Sequence, residues 1–464
     1  MDELHDAADL TARYLSEVDE RPVWRPVPAA AAEWLAGQEL PETGRPLSEL
    51  LADVRDRVLP YPMGNGHRRF FGWVNSAPAP AGVLVDQLAA AMNPSCAGGD
   101  HAGVLLERAV VRWLAELAGY PHRPGGGLLT SGTSLATAIC LAAARQRAAR
   151  ADGWDVREDG LAGRPPFVVY VSAEGHSCLR KAAELLGLGT RGVRTIQVDA
   201  EFRMSPAALR AAIEADLAAG ARPFFVAGSA GTVNTGAVDP LAELADVAAA
   251  HRLWFHVDGA YGALAALAPG AAPEFAGLAQ ADSLALDPHK WLGVPVDCGC
   301  ALFADPAHAR DAFSLVPAYL RDEDAGDLGW FAEYGPEQTR PFRALRTWAT
   351  LSHLGRTGVV ELVTRTTALA RTLAAMVDQA PDFELVAPVV TSIVAFRYRP
   401  ASGDVDAVNR AIPGAVQRRG RAFLTGTTLG GTEALRACVL NPATTEADLR
   451  ILLEEIRLSA ANLP

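Results

Sequence analysis

Short apolar runs alternate with helical segments between residues 103 and 303, and this alternation constrains the fold more than any other feature. The apolar runs are rich in β-branched and aromatic residues, which is typical of buried strands, whereas the intervening stretches have helical spacing. A strand, a helix and a second parallel strand are joined by a right-handed crossover. We therefore predict an α/β fold with a mostly parallel central sheet and helices on both faces. The predicted strands are 167–171, 193–198, 224–226, 253–257, 283–286 and 300–303, and the predicted helices are 104–118, 135–150, 178–188, 206–219 and 241–251.

Two further segments flank this region. Residues 1–85 have a helical pattern that prolines interrupt repeatedly, so we predict an N-terminal helical arm that has too little core of its own and packs on something else. Residues 86–345 make up the predicted large α/β domain. Residues 346–464 alternate between helical and strand-like patterns, which predicts a small α+β C-terminal domain.

The composition excludes several classes of protein. The 464 residues carry 42 basic and 54 acidic side chains, a formal net charge of −12, so no overall electrostatic attraction to nucleic acid or an anionic membrane is expected. The six cysteines form neither a CxxC pair nor a ligand block, which argues against a disulfide framework or a metal site. The N-terminus lacks the features of a secretory signal, and no apolar run reaches the roughly 20 residues of a membrane-spanning helix. We expect a cytoplasmic protein.

A turn of glycine and hydroxyl residues, Thr130-Ser131-Gly132-Thr133-Ser134, precedes a predicted helix. Backbone N–H groups at a helix N-terminus, together with nearby hydroxyls, bind phosphate. The structural alternative is an ordinary helix cap made by Thr133 or Ser134. The glycine-rich fingerprints of dinucleotide and nucleoside-triphosphate sites are absent from the sequence.

Three predicted strands are followed by residues that can carry chemistry. Asp258 comes directly after one strand, and its carboxylate suits either a helix cap or a proton held on a heterocyclic nitrogen. Lys290 follows another strand beside apolar residues. Burial there would lower the pKa of its amine and let it form a Schiff base, although a lysine that reaches solvent is the alternative. His176 follows a third strand, and a single histidine is more often structural. We expect the three to meet at the carboxyl edge of the sheet.

Together these groups are the ones that pyridoxal 5′-phosphate requires. The turn anchors the phosphate, Lys290 binds the aldehyde and Asp258 keeps the ring nitrogen protonated. His176 can stack on one face of the ring while Ala260 lines the other. The sequence therefore predicts an enzyme that uses this cofactor.

The sequence resembles the group II pyridoxal-phosphate-dependent decarboxylases of the aromatic L-amino acid decarboxylase type, which have the fold of type I PLP-dependent transferases. The likeness extends over about residues 20–457. Its motifs are HRRFFGWVNSA at 67–77, TSGTSLATAICLAAAR at 130–145, EGHSCLRKAAELLG at 174–187, AGTVNTGAVDPL at 230–241, FHVDGAYGA at 255–263, DPHKWLGVPVDCG at 287–299 and RPFRALRTW at 340–348.

The resemblance implies a role for each matching residue. Lys290 would form the Schiff base with the cofactor, Asp258 would pair with the pyridine nitrogen, and His176 would stack on the ring and assist proton transfer. Thr232 would lie near the phenolic oxygen of the cofactor. The phosphate would be held by Gly132, Thr133, Ser134 and His289.

The resemblance also implies partners and a reaction. Members of the family are homodimers with active sites at the subunit interface, and the N-terminal arm wraps the partner. The expected reaction converts an L-amino acid into its amine and carbon dioxide. Phe71, Trp73 and the stretch around His101 would contact the substrate side chain, and their aromatic character favours an aromatic amino acid. The structural alternative is that Phe71 and Trp73 are ordinary interface core.

The loop before RPFRALRTW, at about residues 316–339, decides the branch of the reaction in this family. A loop tyrosine is thought to protonate the carbanion in decarboxylases, whereas phenylalanine lets oxygen intercept it and gives an aldehyde, ammonia and peroxide. Counting back from Trp348 places Phe331 near that position, yet Tyr334 lies only three residues away. Both are candidate catalytic residues. Decarboxylation is favoured, oxidative deamination is the main alternative, and transamination or a non-catalytic role is a lesser one.

Overall fold

A computed structural model of the chain describes residues 2–315 and 328–463. The described residues divide into two compact units. Unit 1 contains residues 1–77, 368–386 and 392–464, and unit 2 contains residues 78–367 and 387–391. These units differ from the three predicted segments in two ways. The N-terminal residues cluster with the C-terminal ones, and the boundary predicted after residue 345 lies after Thr367. Packing of the arm on a partner subunit stays a prediction.

Helices and strands alternate along most of the chain. The helices are α1 (Asp2–Ser16), α2 (Ala29–Ala36), α3 (Leu47–Asp53), α4 (Pro80–Met92), α5 (Ala102–Ala118), α6 (Thr133–Ala151), α7 (Val156–Asp159), α8 (Cys178–Leu185), α9 (Pro206–Ala218), α10 (Leu241–His251), α11 (Ala307–Phe313), α12 (Arg343–Gln379), α13 (Val405–Arg419) and α14 (Glu446–Ala460). The strands are β1 (Gly127–Thr130), β2 (Phe167–Ser172), β3 (Val193–Ile196), β4 (Arg222–Ser229), β5 (Trp254–Asp258), β6 (Ser283–Leu286), β7 (Gly299–Phe303), β8 (Phe383–Leu385), β9 (Ile393–Tyr398), β10 (Thr425–Leu429) and β11 (Thr432–Cys438).

Unit 2 is built on a seven-stranded sheet with the order β1-β7-β6-β5-β4-β2-β3. The five strands from β2 to β6 are parallel, while β7 runs antiparallel to both β6 and β1. Every residue of β2 and β5 is buried, as expected for strands that are covered on both faces. The predicted α/β fold with a mostly parallel sheet is therefore confirmed.

Helix α6 packs against this sheet and is buried around most of its circumference, and eight of its 19 residues are alanines, whose small side chains allow close packing. Its first residue follows β1 after a turn of two residues. Helix α12 is broken at Gly355, which has a φ of 63° that other residues rarely adopt.

Unit 1 contains an antiparallel sheet of order β10-β11-β9-β8. The backbone N–H of Phe71 donates to the carbonyl of Phe423, and the Phe71 carbonyl accepts from Cys438. The rings of Phe70 and Phe423 stack with centroids 4.7 Å apart. The segment 70–71 is thus part of the core of this unit.

None of the helices within residues 2–315 and 328–463 has the length and apolar composition needed to cross a membrane.

We expect the protein to lose stability between pH 7 and pH 5, partly because His256 is fully buried on β5. Burial lowers the pKa of His256 to about 3, and its Nδ1 lies 2.8 Å from the Ser283 hydroxyl. The folded state favours the neutral form of His256. Its contribution to the free energy of unfolding is therefore complete above pH 6.5 and is lost as the pH falls below that value. At pH 5 the free energy of unfolding is lower by about 2 kcal/mol.

His256→Asn keeps a polar atom near the Nδ1 position and removes the titration. Urea unfolding should show a smaller difference between pH 7 and pH 5 for this variant than for wild type. The exposed His353 is the control, since His353→Asn should keep the full pH dependence. An unchanged pH dependence in His256→Asn would mean that other groups cause the loss.

Candidate active site

The turn between β1 and α6 forms a cradle of backbone and hydroxyl groups. The hydroxyl of Thr130 donates to the Gly132 carbonyl at 3.0 Å, and a Cβ on Gly132 would lie 3.5 Å from the His289 ring. A Cβ on Gly299 would lie only 2.4 Å from the Gly132 Cα, so the turn depends on glycine at the start of β7. The Thr133 hydroxyl is buried and has no hydrogen-bond partner within the described parts of the chain. The cradle therefore presents an unused polar atom at the N-terminus of a long helix.

Lys290 lies beside this cradle in the turn after β6. Its Nζ is 3.0 Å from Oδ2 of Asp287, whose other oxygen, Oδ1, accepts the backbone N–H of Thr133 at 2.7 Å. His289 Nδ1 accepts from the backbone N–H of Cys298 at 3.1 Å, and Nε2 lies 3.8 Å from Asp287. Because Nδ1 is an acceptor, a hydrogen on this ring is carried by Nε2, toward Asp287.

Asp258 ends β5 at the same edge of the sheet. Its Oδ1 accepts the backbone N–H of Ala260 at 3.2 Å, and the Ala260 carbonyl accepts from the backbone N–H of Asp287 at 3.1 Å. The segments after β5 and β6 are thus tied together through Ala260. Asp258 is nearly buried, so its carboxylate is suited to hold a positive group that is also shielded from water.

The thiol of Cys178 shows that these groups are close together. Burial and, to a smaller extent, the carboxylate of Asp258 raise its pKa to about 12, while Lys290 acts in the opposite direction. The backbone N–H of Cys178 donates to Nδ1 of His176 at 3.2 Å, which fixes the orientation of the exposed His176 ring. The start of α8 therefore brings His176 to the site that contains Asp258 and Lys290.

Thr232 lies in the loop after β4. Its hydroxyl is 3.0 Å from that of Thr235, and its backbone N–H donates to the Ala237 carbonyl. Asn234 from the same loop donates to Glu174 at 2.8 Å, which joins the loop to the turn that carries His176. Ser134 is exposed on the first turn of α6.

The structure does not bring Phe331 or Tyr334 to this site. Both are buried; the Phe331 ring packs under the guanidinium groups of Arg108 and Arg340, and the Tyr334 hydroxyl donates to the Leu328 carbonyl at 2.6 Å. That hydroxyl also lies next to Gly125, before β1 begins, whereas the cradle follows the other end of β1. Residues 316–327 of the predicted catalytic loop lie outside the described residues.

The three residues predicted to contact the substrate side chain lie in different parts of the chain: Phe71 and Trp73 are in unit 1, and His101 is in unit 2. Phe71 is completely buried in unit 1, whereas Trp73 is 48% exposed and its ring lies 5.3 Å from that of Phe423. His101 caps α5 in unit 2, where its Nδ1 accepts the N–H of Gly103 at 3.2 Å. Contact of these residues with a substrate stays a prediction.

Comparison with known proteins decides the family. The family model described as "Pyridoxal-dependent decarboxylase conserved domain" matches residues 29–399 of this chain. The chain belongs to this family. It is a decarboxylase of amino acids that uses pyridoxal phosphate, as the sequence predicted.

Individual relatives support the same assignment. The chain is 31% identical to an aromatic-L-amino-acid decarboxylase of Bacillus atrophaeus, over 98% of this chain and 94% of that protein. Among solved structures, Oryza sativa TDC with PLP and tryptamine has a TM-score of 0.92 and 28% identity, covering 99% of this chain and 97% of that one. The 4-hydroxyphenylacetaldehyde synthase of Rhodiola rosea has a TM-score of 0.87 and 27% identity, covering 99% and 97%.

The residues present fit this cofactor. The buried Thr133 hydroxyl and the N-terminus of α6 suit a phosphate, Lys290 supplies the amine that a carbonyl group needs, and Asp258 supplies a shielded carboxylate.

Sequence reasoning missed Asp287 as a member of this site. A carboxylate three residues before the lysine was the available signal. A second signal was also missed. Lys181 and Lys290 are the only lysines among the 464 residues and every other basic position is arginine or histidine, so a lysine at position 290 stands out.

Proposed function

We propose that the enzyme decarboxylates aromatic L-amino acids to the corresponding amines. The observation that carries the substrate class is the 31% identity to the Bacillus atrophaeus aromatic-L-amino-acid decarboxylase along nearly the whole length of both chains. The homodimer with shared active sites and the cytoplasmic location stay predictions from the sequence.

When bound, pyridoxal phosphate supplies a conjugated ring that accepts the electron pair left by the departing carboxylate. Lys290 would supply the amine that attaches the cofactor to the chain. Asp258 would hold a proton on the ring nitrogen, since a buried carboxylate stabilises a neighbouring positive charge. His176, next to the start of α8, would stack on one face of the ring, and Ala260 would line the other. Gly132, Thr133, Ser134 and His289 hold the phosphate.

We expect Thr133→Val to weaken the binding of pyridoxal phosphate about 10-fold, because the buried hydroxyl has no other partner within the described residues and a phosphate supplies one. Titration of the cofactor-depleted protein, followed by protein fluorescence, measures the dissociation constant. Thr137→Val, one turn further along α6 and equally buried, is the matched control and should change it less than about 2-fold. Equal effects of both substitutions would remove Thr133 from the phosphate site.

A panel of L-amino acids tests the proposed substrate class. Carbon dioxide and amine should form in equal amounts, with kcat/KM for tryptophan, tyrosine or phenylalanine at least about 100-fold above that for glutamate or leucine. A higher kcat/KM for glutamate or leucine would overturn the aromatic assignment while leaving decarboxylation intact.

A second candidate function is oxidative deamination after decarboxylation. It is favoured by the similarity to an aldehyde synthase and by the burial of Tyr334 away from the site. The same panel decides between the two, because oxygen uptake and peroxide equal to the carbon dioxide released would replace our proposal by this one.

A further inference from the structure

The carboxylate of Asp287 touches two parts of the cofactor site at once. Its Oδ1 accepts the backbone N–H of Thr133 at 2.7 Å, and its Oδ2 lies 3.0 Å from Nζ of Lys290. The Asp287 side chain is 5% exposed. Its backbone is also held, since its N–H donates to the Ala260 carbonyl and its carbonyl accepts from the N–H of Lys290. The carboxylate thus has a fixed position between the lysine and the helix.

The N–H that Asp287 uses is the first of α6. This helix has 19 residues, and the N–H groups of its first turn are the ones that an anion at its N-terminus would take. The neighbouring Thr133 hydroxyl remains without a partner in the described part of the chain. A phosphate group held by Thr133 and Gly132 would therefore lie next to the Asp287 carboxylate, and both would compete for the backbone N–H of Thr133.

Two anions this close repel each other strongly away from water. A phosphate monoester carries nearly two negative charges at neutral pH, and the interaction between unit charges about 4 Å apart is several kcal/mol when they are partly shielded from solvent. Lys290 offsets part of this repulsion only while its amine is charged. The same carboxylate holds the Lys290 amine in an ion pair, which competes with the bond that this amine would form with a carbonyl group.

We propose that Asp287 is a positioning residue that places the Lys290 amine and at the same time weakens the hold of the site on the phosphate of its cofactor. The enzyme consequently exchanges pyridoxal phosphate more readily than the cradle alone would allow. This inference depends on the cofactor site and is independent of the proposed aromatic substrate.

Asp287→Asn and Asp287→Ala test the proposal on the full-length protein freed of cofactor. The asparagine keeps an oxygen that can accept the Thr133 N–H, and the alanine removes the charge without adding an N–H that could donate to phosphate. Both variants should bind pyridoxal phosphate about 10-fold more tightly than wild type, which equals about 1.4 kcal/mol. Inorganic phosphate should raise the thermal midpoint of both variants at lower concentrations than for wild type.

Pyridoxal, which has no phosphate, separates the two effects of the carboxylate. Its affinity should change less than about 3-fold in the variants, since only repulsion of the phosphate is strongly relieved. Asp155→Asn is the matched control, because Asp155 also caps a helix through the Arg157 N–H but lies in another turn of unit 2. The Asp155→Asn variant should bind pyridoxal phosphate, pyridoxal and inorganic phosphate with the same affinities as wild type.

Each other outcome contradicts the proposal. Unchanged or weaker binding of pyridoxal phosphate would make Asp287 a helix cap or a cofactor ligand. Equal tightening of pyridoxal and pyridoxal phosphate would mean that the effect operates through Lys290 alone. Tightening in the asparagine variant but not in the alanine variant would reflect a new hydrogen bond and not the loss of repulsion.

Discussion

Lys290→Ala is expected to lose the visible absorbance of enzyme-bound pyridoxal phosphate and to decarboxylate amino acids roughly 1,000-fold or more slowly, the scale seen when an enzyme loses its covalent nucleophile. The physical reason is that the site has one amine, fixed 3.0 Å from Asp287 beside the phosphate cradle. Absorbance spectra and initial rates of carbon dioxide release measure the two effects.

Lys181→Ala provides a clean control, because Lys181 is the other lysine of the chain and is exposed on α8. Its absorbance and rate should match those of wild type. A Lys290→Ala protein that keeps the visible band would show that the cofactor is attached elsewhere.

Glu107→Ala is expected to lower the free energy of unfolding by about 3–5 kcal/mol, because it leaves a buried guanidinium without its counter-charge. Glu107 on α5 and Arg340 form an ion pair in which both side chains are 1% exposed. Arg340 also donates to the carbonyls of Cys96 and Leu129, and Glu107 accepts the N–H of Leu129 at 2.9 Å. Urea or thermal unfolding of the cofactor-bound protein measures the change.

Glu116→Ala on the same helix is the matched control. Glu116 pairs with Arg112 at 3.6 Å, but both side chains are more than half exposed, so the loss should stay below about 1 kcal/mol. Similar losses in the two variants would show that burial does not determine the strength of these pairs. The Glu107 pair also fixes β1 just before the cradle, so Glu107→Ala should bind pyridoxal phosphate less tightly as well.

Local sequence patterns predicted the centre of the fold well. The runs that became β2 to β7 are bounded by turns, and the ends of each strand lie within three residues of the predicted ones. Strand β1 was missed because it is only four residues long and begins with the last of three consecutive glycines, Gly127. Strand β10, with three threonines and a glycine, lies at the edge of its sheet and has no apolar run to mark it.

The site was predictable where it depends on the ends of strands. Asp258, His176 and Lys290 each follow a predicted strand, and the parallel sheet brings them together. Contacts across long stretches of sequence were not predictable: Glu107 and Arg340 are 233 residues apart. The Phe331 ring packs against Arg340 of that buried pair, and Tyr334 packs beside Phe331; no local pattern reveals these contacts.

The most direct test of the central claim is to find which residue carries the cofactor. Borohydride makes the bond between a lysine and pyridoxal phosphate permanent, and peptide mass spectrometry then locates it. With two lysines in the sequence, the result is unambiguous. We predict one cofactor per chain on the peptide that contains Lys290, with Lys181 unmodified. A cofactor on Lys181, or none on either lysine, would contradict the account.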